Sequence, residues 1–99
     1  MQLLIVEPAL DEAAHAVRHY NAISPALGAR FAAELARSLE LVVSQPRAWA
    51  RTGAQQAELR KRVLARFPYA VIYRVEADCL RVIAFVHHRQ RPGYWRGRL

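Results

Sequence analysis

Thirteen consecutive residues, Val86 to Arg98, read VHHRQRPGYWRGR and hold two histidines, four arginines, a tyrosine and a tryptophan. One chemistry for such a set is metal-independent cleavage of RNA. It needs a group to take the 2′-hydroxyl proton, a group to protonate the departing 5′-oxygen, and cations around the phosphate as its charge grows. Arginine stays protonated at any useful pH, so His87 or His88 would move the proton, with Tyr94 beside them. Arg60, Arg62 and Arg81 are further cations that could serve a phosphate if the fold brought them to this segment. Strand alternation puts Arg60 and Arg62 on one face and Lys61 on the other, so only part of this set converges. The second chemistry is recognition alone. Arg89, Arg91, Arg96 and Arg98 offer charge to an acidic or nucleic-acid-bound partner, and Tyr94 and Trp95 are anchors of the kind that dominate interfaces. A tail of that sort is expected to be separable from the fold, unless Trp95 turns back to cap the core.

Other chemistries lack residues. His15 and His19 lie four apart on one helical face, but nothing with zinc spacing completes a site, so neither a metal nor a cofactor is expected. Cys79 is the one cysteine and sits in an apolar run, which suits a buried thiol in a reducing compartment. Tyr69 and Tyr73 share a strand face and are interleaved with arginines, as in a module that stacks bases on a cationic surface. Their strand neighbours are apolar, so packing accounts for them as well.

The chain has 99 residues, room for one domain, and its 54% hydrophobic content is enough for a real core. No apolar run approaches a membrane span and the start lacks the pattern of a signal peptide, so no membrane partner and a cytoplasmic location are expected. The formal charge of +7 is unevenly spread. Residues 60–99 hold ten basic and two acidic side chains, a balance of +8, whereas residues 1–59 balance at −1. The cationic half attracts polyanions or acidic proteins at long range.

The elements that must position these residues follow from periodicity. Leu3 to Val6 reads as a short strand stopped by Glu7-Pro8. Pro8 then suits the first turn of a helix, with Leu10, Ala13, Ala14, Val17 and Tyr20 as its apolar stripe and Glu12, His15, Arg18 and His19 largely outside it. Asn21-Ala22-Ile23 is expected to break that helix. Ser24-Pro25 starts a second one, striped by Leu27, Phe31, Leu35, Leu39 and Val42 and ending before Pro46. Residues 47–57 show no period and read as a loop. Leu59 to Ala65, Tyr69 to Glu76 and Leu80 to His87 are β-rich runs whose short connectors join antiparallel neighbours. The order is β-α-α-β-β-β, an α+β fold with a helical hairpin on a small, largely antiparallel sheet.

That order, together with Arg66-Phe67-Pro68-Tyr69-Ala70-Val71-Ile72-Tyr73-Arg74 and His88-Arg89-Gln90-Arg91-Pro92-Gly93-Tyr94-Trp95, resembles the RelE/ParE superfamily of type II toxin-antitoxin toxins over essentially the whole chain. The Phe-Pro-Tyr turn, the Arg-Pro-Gly-Tyr-Trp ending and the presence of a single lysine look more like the ParE branch. The resemblance implies a small toxin neutralised by a cognate antitoxin, with which it would form hetero-oligomers. Leu27, Phe31, Arg60 and Arg62 would meet that partner, whose acidic, amphipathic segment would fold as it binds. The ParE branch implies poisoning of DNA gyrase through the tail. The RelE branch implies ribosome-dependent cleavage of mRNA by the histidine, tyrosine and arginine set.

Overall fold

The computed structural model describes residues 1–52 and 58–99. Residues 53–57 of the expected loop lie outside the described residues. Strand β1 (Gln2–Ile5) is followed by helices α1 (Glu7–Ile23) and α2 (Pro25–Ser44), strands β2 (Leu59–Val63), β3 (Tyr69–Glu76) and β4 (Cys79–His87), and a C-terminal 3-10 helix (Tyr94–Arg98). The strands lie in the order β1-β4-β3-β2, with β1 parallel to β4 and the other pairs antiparallel. The expected β-α-α-β-β-β order is the observed one.

Helix α1 runs through Asn21-Ala22-Ile23, which was expected to break it. None of the three is a strong breaker, and the helix ends only where Ser24 turns extended and donates its N–H to the Tyr20 carbonyl at 3.0 Å. Ser24 also opens α2. Its Oγ accepts from the Leu27 N–H at 3.1 Å, and Pro25 follows at a position whose N–H would be unpaired anyway. The hairpin therefore turns on one residue, which forces the helices into close approach. Gly28 makes room, since a Cβ there would lie 1.6 Å from Asn21 Oδ1.

The helices cover one sheet face. Ala9 and Ala16 of α1 and Phe31, Leu35 and Val42 of α2 pack on Val71, Tyr73, Leu80, Val82 and Phe85. Of the expected α1 stripe, Ala13, Val17 and Tyr20 pack against this core, whereas Leu10 is half exposed and Ala14 is exposed, and Ala9 and Ala16 are buried in their place. The other sheet face has a second core of Leu59, Ala70, Ile72, Ile83, Ala84, Val86 and Trp95. A β-bulge divides β4 between the two. Ile72 pairs with Ala84 but Tyr73 pairs with Val82, leaving Ile83 as an extra residue. Leu80 and Val82 face the helices before the bulge and Phe85 after it, while Ala84 and Val86 turn to the second core.

The two sides of the sheet end differently. Strand β1 pairs with β4 only from Cys79 to Val82, so β4 outruns its neighbour by five residues. The outer edge of β2 is covered by part of the expected loop, with Thr52 N–H donating to Leu59 O at 2.8 Å and Lys61 N–H to Ala50 O at 3.1 Å.

The β3–β4 turn forces Ala77 to φ 45°, a left-handed conformation in which a Cβ is crowded by the following carbonyl. Ala77→Gly is expected to raise unfolding stability by about 0.5–1 kcal/mol, the left-handed penalty less the added freedom of the unfolded chain. Urea denaturation checks it; a lowered midpoint would show that the turn is not strained.

Candidate functional site

Past Val82 the open edge of β4 presents backbone groups with no strand beside them. Glu12 and Arg98 take the place of that strand. Glu12 Oε1 accepts from the Phe85 N–H at 3.1 Å, and Arg98 Nη1 donates to the Ile83 carbonyl at 3.1 Å. The two side chains also bind each other in a fork, at 2.8 Å to Oε1 and 3.1 Å to Oε2. The Tyr94 hydroxyl donates to the second carboxylate oxygen and lies 3.2 Å from Gln90 Oε1. Burial and then the bond to Glu12 push the Tyr94 hydroxyl well above the ordinary tyrosine pKa, and the same carboxylate raises that of Arg98. With Arg98 and Tyr94 fixed, Trp95 between them is buried against the second core.

Sequence reasoning passed over Glu12. Its signal was position: it stands three residues after Ala9 and four before Ala16, on the true buried stripe.

The residues expected at a site are dispersed. Arg60 and Arg62 lie on the helix-facing side of β2. Arg60 is buried and holds the chain at Trp49 O (2.7 Å) and Glu58 Oε1 (3.0 Å), and Tyr73 holds the same segment at Pro46 O (2.6 Å). Arg62 donates to Ser38 Oγ of α2 at 3.3 Å and lies 4.7 Å over the Trp49 ring. Arg81 is on the opposite sheet face, 2.8 Å from Glu76, which also pairs with Arg74. These guanidinium hydrogen bonds hold Glu58 and Glu76 below the ordinary glutamate pKa. His87 stacks edge-on with Tyr69 at 5.0 Å and accepts the Arg89 N–H at Nδ1 (3.0 Å). His88, Arg89, Arg91 and Arg96 are exposed. Thus Arg60 and Arg62 do not meet Arg81, and the Tyr94 hydroxyl is turned into the Glu12 network.

Of the helix residues, Phe31 is 1% exposed, enclosed by Tyr20, Phe67 and Tyr69 at ring distances of 4.9, 5.1 and 5.3 Å. Leu27 lines a groove of about 480 Å³ between α2 and the β2–β3 turn, with Ala33 and Phe67 as apolar wall and Arg30, Arg37 and Arg66 as cations. Glu34 closes one side and accepts the Ala65 N–H at 3.0 Å. The described residues hold no group of three or more histidine, cysteine, aspartate or glutamate side chains suited to a metal ion.

Residues 3–92 match the family model of the ParE toxin of type II toxin-antitoxin systems, parDE. Among solved structures, a chain of the chromosomal ParDE TA system from P. aeruginosa superposes with a TM-score of 0.74 at 16% identity, covering 88% of this chain and 95% of that one. At that identity the likeness is one of fold. No curated protein matches the chain.

Removing the Glu12 carboxylate would strand a guanidinium, a tyrosine hydroxyl and a backbone N–H together. Glu12→Ala is expected to cost about 2–4 kcal/mol, below the full penalty of a broken buried pair because both partners keep some solvent contact. Urea unfolding followed by tryptophan fluorescence measures it, and a loss under about 0.5 kcal/mol, the scale of an ordinary surface pair, would refute the assignment.

Proposed function

The chain belongs to the ParE toxin family of type II toxin-antitoxin systems, and from that premise we propose that it arrests growth by poisoning DNA gyrase and is silenced by a cognate antitoxin. The observation that carries the gyrase reading over mRNA cleavage is the dispersal of the catalytic candidates. Two of the three phosphate-directed arginines are turned to the helix side, the third is paired with Glu76, and the tyrosine hydroxyl is committed to Glu12. Proton transfer at a phosphate needs such groups on one side, within hydrogen-bond reach of the reacting atoms. What the tail leaves free is charge, on Arg89, Arg91 and Arg96, suited to an acidic surface or a nucleic-acid-bound enzyme.

The antitoxin reading rests on the groove at Leu27. Apolar residues flanked by Arg30, Arg37 and Arg66 suit an acidic amphipathic segment. Phe31 supports the groove from within, and Arg60 holds the toxin's own loop. Both would act on the antitoxin through the shape they maintain.

Because Trp95 belongs to the second core, cutting the chain after Gln90 would unfold part of the protein as well as remove the tail. Point variants separate the two effects. Arg89→Ala, Arg91→Ala and Arg96→Ala combined are expected to weaken inhibition of gyrase supercoiling by about tenfold or more, with the fold and antitoxin binding kept. In parallel, mRNA in translating ribosomes should remain intact. Codon-phased cuts that disappear with His87→Ala or His88→Ala, a loss of about a hundred- to ten-thousand-fold for a general acid or base, would assign the chain to mRNA cleavage.

A further inference from the structure

The sheet face opposite the helices has a cleft of about 150 Å³ where the tail passes over β2, β3 and β4. Its floor is Ile72, Val86 and Trp95, all buried in the second core, and its rim carries Lys61 from β2 and Arg91 from the tail. Arg96 is not part of the lining but stands beside Gly93, which is. A Cβ on Gly93, at φ 77°, would come within 2.7 Å of Arg96 Nε, so the missing side chain leaves room for the Arg96 side chain next to it.

The charges at this rim differ from Arg60, Arg74 and Arg81 on the sheet. Among the described residues, the ion pairs engage Arg51, Arg60, Arg74, Arg81 and Arg98. Lys61, Arg91 and Arg96 are in none of them, and no acidic residue among those described lines the cleft. The walls are fixed by backbone hydrogen bonds: Lys61 N–H to Ala50 O at 3.1 Å, His88 N–H to Pro68 O at 2.9 Å, and Tyr94 N–H to Arg91 O at 3.3 Å. The cleft thus pairs an apolar floor with a cationic rim.

Its size decides which anion. Clefts for whole small molecules start near about 300 Å³, so this one admits a single side chain and excludes a nucleotide with its sugar and base. Base stacking has no platform here, because Trp95 is 5% exposed and the Tyr94 hydroxyl is tied to Glu12. We propose that the cleft receives one glutamate or aspartate side chain of a partner polypeptide, its carboxylate held at the rim by Lys61 and Arg91 and its methylenes against Ile72, Val86 and Trp95.

The test is an NMR titration of the full chain with acetyl-Leu-Glu-Leu-amide, its Gln counterpart, and a hexauridine oligonucleotide. The glutamate peptide should shift the Trp95 indole N–H and the Ile72 and Val86 methyls, and the Gln peptide should bind about tenfold or more weakly. The double variant Lys61→Met, Arg91→Met, which keeps the apolar stems, should lose the response while its other methyl resonances stay in place. Equal binding of the two peptides, no shift at these three residues, or a response of the same resonances to hexauridine at lower concentration would overturn the proposal. Gyrase is absent from the measurement, so its failure is read separately from that of the gyrase reading.

Discussion

The fold depends on how β4 is closed where β1 stops. A bare strand edge exposes unpaired N–H and C=O groups, a cost in stability and an invitation to foreign strands. Here one carboxylate on α1 and one guanidinium near the C-terminus meet the Phe85 N–H and the Ile83 carbonyl and bind each other as well. The closure is made of side chains rather than a strand, so it can serve a bulge that a straight strand would not match. It also ties the last helical turn to the first helix. Trp95 is thereby held over the second core and the cleft beside it acquires a wall.

The same carboxylate logic sorts the arginines. A balance of +8 over residues 60–99 suggests a uniformly cationic face. In the fold Glu58 takes Arg51 and Arg60, Glu76 takes Arg74 and Arg81, and Glu12 takes Arg98. Charge outside these pairs is thus concentrated in the tail, at Lys61 on β2, and along the α2 groove. The tail with Lys61 and the α2 groove lie on opposite faces of the sheet, so one partner can occupy the groove while another meets the tail.

Periodicity and connector length carried the fold: the order of the strands in sequence, the helical hairpin and the Ser24-Pro25 start of α2 were all legible. Three features were not. The α1 stripe of alanines has little hydrophobic contrast, so Leu10 and Ala14 score as well as Ala9 and Ala16 beside Ala13 and Val17, and Glu12 is left outside. The bulge at Ile83 changes the facing of β4 midway, which strict alternation has no means to express. The place of the tail stays open in the sequence between a separable segment and one whose Trp95 caps the core, because the distant Glu12 that fixes it is invisible from the tail itself. Long-range pairs such as Glu12 with Arg98, 86 residues apart, leave no local trace. The arginines on β2 were read on the correct common face, but only the fold shows that this face is the one against the helices.

The closure of β4 can be observed at one atom, the Phe85 amide. Native-state hydrogen exchange reports whether its N–H opens locally or only with the whole protein. If Glu12 replaces the missing strand, Phe85 exchanges as slowly as the β3 amides Val71 and Ile72 in the wild type, and Arg98→Ala or Glu12→Gln makes it exchange far faster than those two. Rapid exchange at Phe85 in the wild type, or protection unchanged in both variants, would contradict the account.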